Sequence, residues 1–326
     1  MKKQSNVYCN LRKLKNFPIS FLGLALGLIG FTLAWQKAEI ILKLSFAISN
    51  YLFYFSLGMV VLIFIIYIMK IIRYPSEVKK EFNHPVKINF YPILATLFLI
   101  VSIICLNINF TISKYTWWAG ILIQSIFSII VISAWIKSSN LKIHHMNPSW
   151  FIPIVGFLII PIAGTEHFSQ ELSWFFFSIG IFWWLILTTI VINRIIFHSP
   201  ITDRLIPTLF ILFAPPLIGF ISITKLIGEI NIFGNLLYYF GFFMFILVMF
   251  QYRLFAKIKF YLSWWAYSFP LDALIIATLL MYHSTESKFF KYTSLVMFIF
   301  LNIVIVLLLI RTIIAIKRRN ICIEEE

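Results

Sequence analysis

Charge is scarce in this sequence. Only 12% of its 326 residues are Asp, Glu, Lys or Arg, and just 12 of them are acidic. A water-soluble globular enzyme of this length needs far more polar surface and is excluded. Room for an appended soluble domain is also lacking. Ten apolar runs of about 20–25 residues take about 220 positions, and the rest, divided among two tails and nine connections, holds no domain of the usual size. The three cysteines, Cys9, Cys105 and Cys322, are scattered without metal-ligand or disulfide spacing. Nucleotide-binding glycine loops, nucleophile elbows and zinc motifs are missing, so no cofactor is expected. A net charge of +15 suggests nucleic acid, but no basic cluster is backed by a nucleic-acid motif, and none is expected as a partner.

Long apolar stretches are what the chain does have. Residues are 61% hydrophobic, with a mean hydropathy of +0.94, in continuous runs rather than alternating segments. That pattern predicts an all-α membrane protein and not a barrel. Ten helices are expected: Ile19–Trp35, Leu42–Met69, Val86–Asn109, Tyr115–Ile136, Pro148–Gly164, Leu172–Ile195, Leu205–Leu226, Phe233–Leu254, Ser263–Tyr282 and Phe289–Ile316. Connections after the even helices are basic, as are both tails. Of the 27 Lys and Arg residues, Lys37, Lys43, Lys114, Lys225, Lys288 and Lys291 alone fall on the other side. The basic side, with both termini, is therefore expected in the cytoplasm and the protein in the inner (plasma) membrane. No small-residue cleavage site follows the first run, so that run reads as a retained helix.

The twelve prolines sort the helices into two classes. Within helices they fall in the third (Pro92), fifth (Pro153, Pro161), seventh (Pro207, Pro215, Pro216) and ninth (Pro270), with Pro18 opening the first. A proline removes a backbone hydrogen bond, and the freed carbonyl must find protein or water inside a bilayer. The odd helices are thus expected to be kinked and internal, the even ones straight and lipid-facing. Five such hairpins make an inner ring around a central passage and an outer ring in the lipid. Gly23, Gly27 and Gly30 on the first helix mark close packing or a narrow lumen. Aromatic stretches such as Trp174–Phe177 and Trp183-Trp184 read as packing or interface anchors.

Several stretches carry a family resemblance. They are Pro18-Ile-Ser-Phe-Leu-Gly-Leu-Ala-Leu-Gly-Leu through Trp35, Glu81–Phe90 into the third helix, Asn147–Pro153 into the fifth, and Trp265–Pro270 in the ninth, with Ala214-Pro215 a weaker match. In order, spacing and placement on odd helices, the chain from about Pro18 to Leu309 resembles the bacterial tellurite-resistance proteins and plant slow-type anion channels. The resemblance implies ten helices in five hairpins, a pore in each subunit, and usually a homotrimer. The channel domain then covers residues 18–316, with tails at 1–17 and 317–326. Implied partners are the lipid bilayer and chloride, nitrate or tellurite, or in some relatives small dicarboxylates. The resemblance also places the family's phenylalanine gate at Phe269 and a pore glycine at Gly23. A ring projecting into a narrow lumen removes an ion's hydration and blocks until it moves, and Pro270 loosens the helix beside it.

Away from their ends the odd helices are nearly free of charge. A lumen with only hydroxyls and amides, such as Ser20, Asn89, Thr96 and Ser268, holds no anion tightly, which suits passive conduction. Gly27, Pro92, Pro153 and Pro215 join Gly23 and Pro270 as lining or kink positions. The exception is Asp272, an acid deep in the ninth helix, where the resemblance leads one to expect a small or uncharged residue. Ionised at about 5 Å from a passing anion, it repels by roughly 3 kcal/mol at an effective dielectric of about 20. It stands as a protonated structural group, a proton-coupling site or a paired charge, and the second option opens a reading as a proton-coupled carrier of dicarboxylates or oxyanions. A further reading, a membrane-embedded enzyme, rests on His84, His145 and His198, which precede odd helices but share no i, i+4 spacing.

Overall fold

A computed structural model describes residues 14–137 and 141–318. Lys2, Lys3, Arg12, Lys13 and Arg319 of the basic tails, Cys9, Cys322 and the terminal glutamates lie outside the described residues. Within them the chain is helical, and ten segments are long and apolar enough to cross a membrane. The odd spans are Phe21–Leu42, Lys87–Cys105, Pro148–His167, Ile206–Ile227 and Leu262–Thr285. The even spans are Ile48–Arg73, Phe110–Lys137, Gln170–Phe197, Ile232–Phe250 and Lys288–Lys317. The expected boundaries hold to within five residues except at two ends: the second span starts at Ile48, six residues after Leu42, and the first ends later than expected. The first span runs seven residues past Trp35, because Lys37 and Glu39 are absorbed in its last two turns. The eighth stops at Phe250, and a short helix, Tyr252–Lys257, follows it.

Burial separates the two classes. Between 67% and 94% of the central residues of the odd spans are buried, against 28–39% for the even ones. The third and fifth spans pack most extensively on the even span that follows each, while the first, seventh and ninth pack at least as extensively on another odd span. The odd spans touch one another in a closed cycle: first, third, fifth, seventh, ninth and back to the first.

The odd spans are not simply bent α-helices. Four of them begin as 3₁₀ turns, at Lys87–Phe90, Pro148–Phe151, Ile206–Phe213 and Leu262–Tyr267, and become α-helical where Pro92, Pro153, Pro215 and Pro270 stand. A proline offers no N–H to the carbonyl four residues earlier. Here that carbonyl takes a donor one residue closer: Ile88 O accepts from Tyr91 N, Ser149 O from Ile152 N and Ile211 O from Ala214 N. The first span opens in the same way, with Phe21, Leu22 and Gly23 each donating three residues back. These carbonyls are satisfied within their own strand of chain, so proline alone does not force the odd spans inward. Among the described residues Pro161 is the one proline beyond the first turn of an α-helix.

Seams on the even spans hold the odd ones in place. The second span buries Ser49, Phe53, Ser56, Val60, Ile63, Tyr67 and Lys70, in steps alternating between four and three residues, which is the spacing of a coiled-coil seam. The fourth, sixth and eighth place Gly120, Gly180 and Gly241 at the centre of theirs. A Cβ at those glycines would come within 2.7, 2.6 and 2.7 Å of Leu99, Leu158 and Leu217 on the preceding odd span. Absence of a side chain is what lets each leucine in. Of the aromatics read above as packing or interface anchors, Phe176, Phe177 and Trp184 belong to the sixth span's buried seam, while Trp174 and Phe175 are exposed.

Polar seam residues reach inward to backbone carbonyls. Ser56 donates to Leu28 O, Trp117 to Ile160 O, and both Gln124 and Ser128 to Pro153 O. Hydrogen bonds of this kind cost little where no water competes, and they fix the rotation of one helix against its neighbour.

Candidate functional site: an apolar cavity closed by the five odd spans

The switch from 3₁₀ to α-helix turns one short stretch of each odd span toward a common space. A cavity of about 60 Å³ lies there, several times the ~10–15 Å³ that one water occupies. Its wall takes Ser20, Gly23 and Leu26 from the first span, Ile93 and Thr96 from the third, Ile152 and Val155 from the fifth, and Thr208, Ile211 and Ala214 from the seventh. The ninth adds Leu262, Ser263, Trp265, Ala266, Phe269 and Pro270. No side chain in this wall carries a charge; its polar groups are the hydroxyls of Ser20, Thr96, Thr208 and Ser263. All five stretches belong to the first half of their spans, so the cavity lies toward the leading face, where the odd spans begin.

Phe269 stands at the deep end of this wall. Its ring is partly exposed to the cavity and comes within 3.3 Å of where a Gly30 Cβ would stand, one turn beyond Leu26. Gly23 opens on the cavity and has Trp265 Cβ at 3.9 Å from its own missing Cβ. Pro270 is in the wall too.

Four other positions expected to line or kink the passage are not in that wall. Gly27 is filled from behind: a Cβ there would meet Ser268 and come within 2.9 Å of Trp265, so this glycine serves the contact between the first and ninth spans. Pro92, Pro153 and Pro215 are buried at the helix switches, and their neighbours Ile93, Ile152 and Ala214 face the space instead. Asn89 and Ser268 also turn away. Asn89 donates to Pro85 O at 3.3 Å, and Ser268 to Trp265 O at 2.7 Å. Thr208 and Ser263 are the hydroxyls that sequence reasoning missed, because inside an all-apolar helix nothing marks which face looks inward.

Asp272 lies one turn past Phe269 and is 1% exposed. Its carboxylate packs against Gly30 in the seam between the first and ninth spans rather than in the cavity wall. Neither oxygen has a hydrogen-bond donor among the described residues. An ionised carboxylate so placed has no compensation for lost hydration.

At the leading face a polar cluster ties the mouth together. Lys70 is fully buried, forms an ion pair of 2.8 Å with Glu81 and donates to Phe17 O at 2.7 Å. Tyr67 donates to Glu81 at 3.1 Å and shares a 2.9 Å bond with Tyr91. The second span, the short helix Pro75–Phe82, the start of the first span and the start of the third are thereby joined. Arg194, 3% exposed, donates to Ile143 O at 3.0 Å and to Ser199 O. Both cations had counted only toward topology in the sequence; their carbonyl partners lie in other segments and leave no local signal. Among the described residues no three His, Cys, Asp or Glu side chains come together as a metal site. His84 accepts from the amides of Val86 and Lys87, and His145 from that of Lys142.

Residues 16–313 match the voltage-dependent anion channel family. An uncharacterized transporter of Methanocaldococcus jannaschii is 30% identical over 82% of this chain and 86% of its own length. An S-type anion channel of Arabidopsis thaliana is 27% identical, over 87% of this chain and 56% of that one. The tellurite resistance protein TehA homolog of Haemophilus influenzae is 24% identical, over 93% and 92%. The chain belongs to the voltage-dependent anion channel family, a multi-pass membrane protein in a family of anion channels and transporters.

Proposed function

We propose that this chain conducts small inorganic anions passively along the axis of the five odd spans and that Phe269 is the gate. One observation carries the reading: all five odd spans contribute to a single uncharged cavity whose deep end is occupied by the Phe269 ring. An apolar wall with scattered hydroxyls binds anions weakly and so lets them leave, and a ring at its end blocks by excluding water. Chloride, nitrate and tellurite are the anions in view. The excess of Lys and Arg at the leading face supports an orientation with that face and both termini in the cytoplasm, within a plasma membrane. It also concentrates anions there through a modest, salt-sensitive field. A homotrimer, each subunit with its own passage, is the assembly to test.

Liposomes reconstituted with the full chain test the reading. An anion current reversing at the Nernst potential of the permeant ion is expected without any proton gradient, and Phe269→Ala raises it several-fold. Unchanged conductance in Phe269→Ala removes the gate. Bi-ionic reversal potentials for chloride, nitrate, tellurite and malate rank the substrates.

Asp272 favours a second reading, a carrier that moves dicarboxylates or oxyanions with protons. A buried carboxyl with no donor is a group whose proton can be lost only at a cost, unless a moving partner supplies compensation. A carrier shows a reversal potential that shifts with pH. If Asp272 instead titrates beside a passive pore, current falls as pH rises, because the ionised form repels the permeant anion, and Asp272→Asn abolishes that dependence. Identical pH curves for the two proteins remove Asp272 from function.

A further inference from the structure

The cavity wall follows one stripe on each odd span, and two of those stripes end on a cation. On the first span the stripe is Ser20, Gly23 and Leu26; on the seventh it is Thr208, Ile211 and Ala214. Eleven residues complete about three α-helical turns and advance about 16 Å. Lys37 stands eleven residues beyond Leu26, and Lys225 eleven beyond Ala214, each in the final turns of its helix. Both lysines therefore return to the lumen-facing side, at the far face of the bundle.

Lys37 is half-buried and Lys225 exposed. Neither forms an ion pair or a hydrogen bond with a described residue. The first and seventh spans are not neighbours in the cycle of odd spans, yet Lys37 is close enough to feel the charge of Lys225. The same step along the fifth span leads from Val155 to Glu166, which is exposed, acts electrostatically on His167 and pairs with neither lysine. The ninth span's stripe leads from Phe269 to Leu280, which is uncharged. Two mutually repelling ammonium groups, one of them partly desolvated, are left without a counter-ion among the described residues.

We propose that Lys37 and Lys225 form an anion-binding site at the far mouth of the passage, taking a monovalent inorganic anion of chloride or nitrate size between them. The proposal rests on the channel reading above. An anion held there offsets the repulsion of the two cations, and two exposed or half-exposed donors on flexible stems bind weakly enough to release it. The site is thus a loading point that raises occupancy at the end of the passage remote from the basic leading face.

Planar bilayers containing the full chain, with chloride varied only on the Lys37 side, test it. The parent current is expected to saturate. Lys37→Gln and Lys225→Gln each raise the half-saturating chloride several-fold, Lys37→Arg restores it, and chloride varied on the leading side gives the same half-saturation in all of them. A parent that passes no anion current overturns the channel reading itself. A conducting parent whose glutamine variants saturate at the parental chloride concentration overturns this site and leaves that reading intact.

Discussion

The second span and the first are equally apolar to the eye, yet they solve opposite problems. The second exposes most of its surface and buries one seam, ending on Lys70. The first is buried nearly all round, and different faces of it meet different neighbours: Ser56 of the second span at Leu28, Ser268 of the ninth at Gly27, and the cavity at Gly23. A helix facing lipid needs one specific stripe, and the remainder has only to be apolar. A helix inside the bundle needs every face to be specific, and every proline within a span falls in this class. The same residue type should therefore matter where it faces another helix and be dispensable where it faces outward.

The buried and exposed ion pairs offer the largest contrast. Lys70 and Glu81 are buried, whereas Lys80 and Glu77 pair at 3.0 Å in solvent. Glu81→Gln leaves the Lys70 charge uncompensated and is expected to cost about 3–5 kcal/mol, read as a fall in the unfolding midpoint in detergent. Glu77→Gln should leave that midpoint where it is. Equal shifts would mean that the buried pair is hydrated in solution.

Glycine gives the next. Gly180→Val drives a side chain into Leu158 and its backbone, at an expected cost of about 1–3 kcal/mol. Gly58→Val has nothing within 4 Å and should be neutral. If both are tolerated, the seam between the fifth and sixth spans is looser than its geometry. The smallest effect belongs to adjacent tryptophans. Trp117→Phe loses the bond to Ile160 O and should cost about 0.6–1 kcal/mol. Trp118, 38% exposed, should accept phenylalanine without a measurable shift in the same unfolding assay.

Much of this architecture is legible without coordinates. Ten spans follow from run length, and the division into two classes follows from where the prolines stand, although the proline carbonyls turn out to be satisfied by tighter turns rather than by an inner cavity. Phe269, Gly23 and Pro270 were found through resemblance, and they do face the cavity. Gly27, Pro92, Pro153 and Pro215 came from composition, as close-packing, lining or kink positions, and they stand at a helix contact and at the helix switches rather than in the cavity wall. Lys70 illustrates another limit. Its partners include Phe17 O, 53 residues away, and no spacing rule in a sequence points to a backbone carbonyl.

Composition, run length and charge placement by themselves determined a membrane protein and its number of spans, since these depend on the solvent that each segment tolerates; the family followed from the resemblance of particular stretches. Only tertiary structure decided which side of each inner helix meets the cavity, that Asp272 faces Gly30, and that Lys37 and Lys225, on separate helices, lie within electrostatic reach of each other. The physical reason is that a helix apolar on every face carries no amphipathic signal, so its rotation about its own axis is set by the neighbours that pack against it.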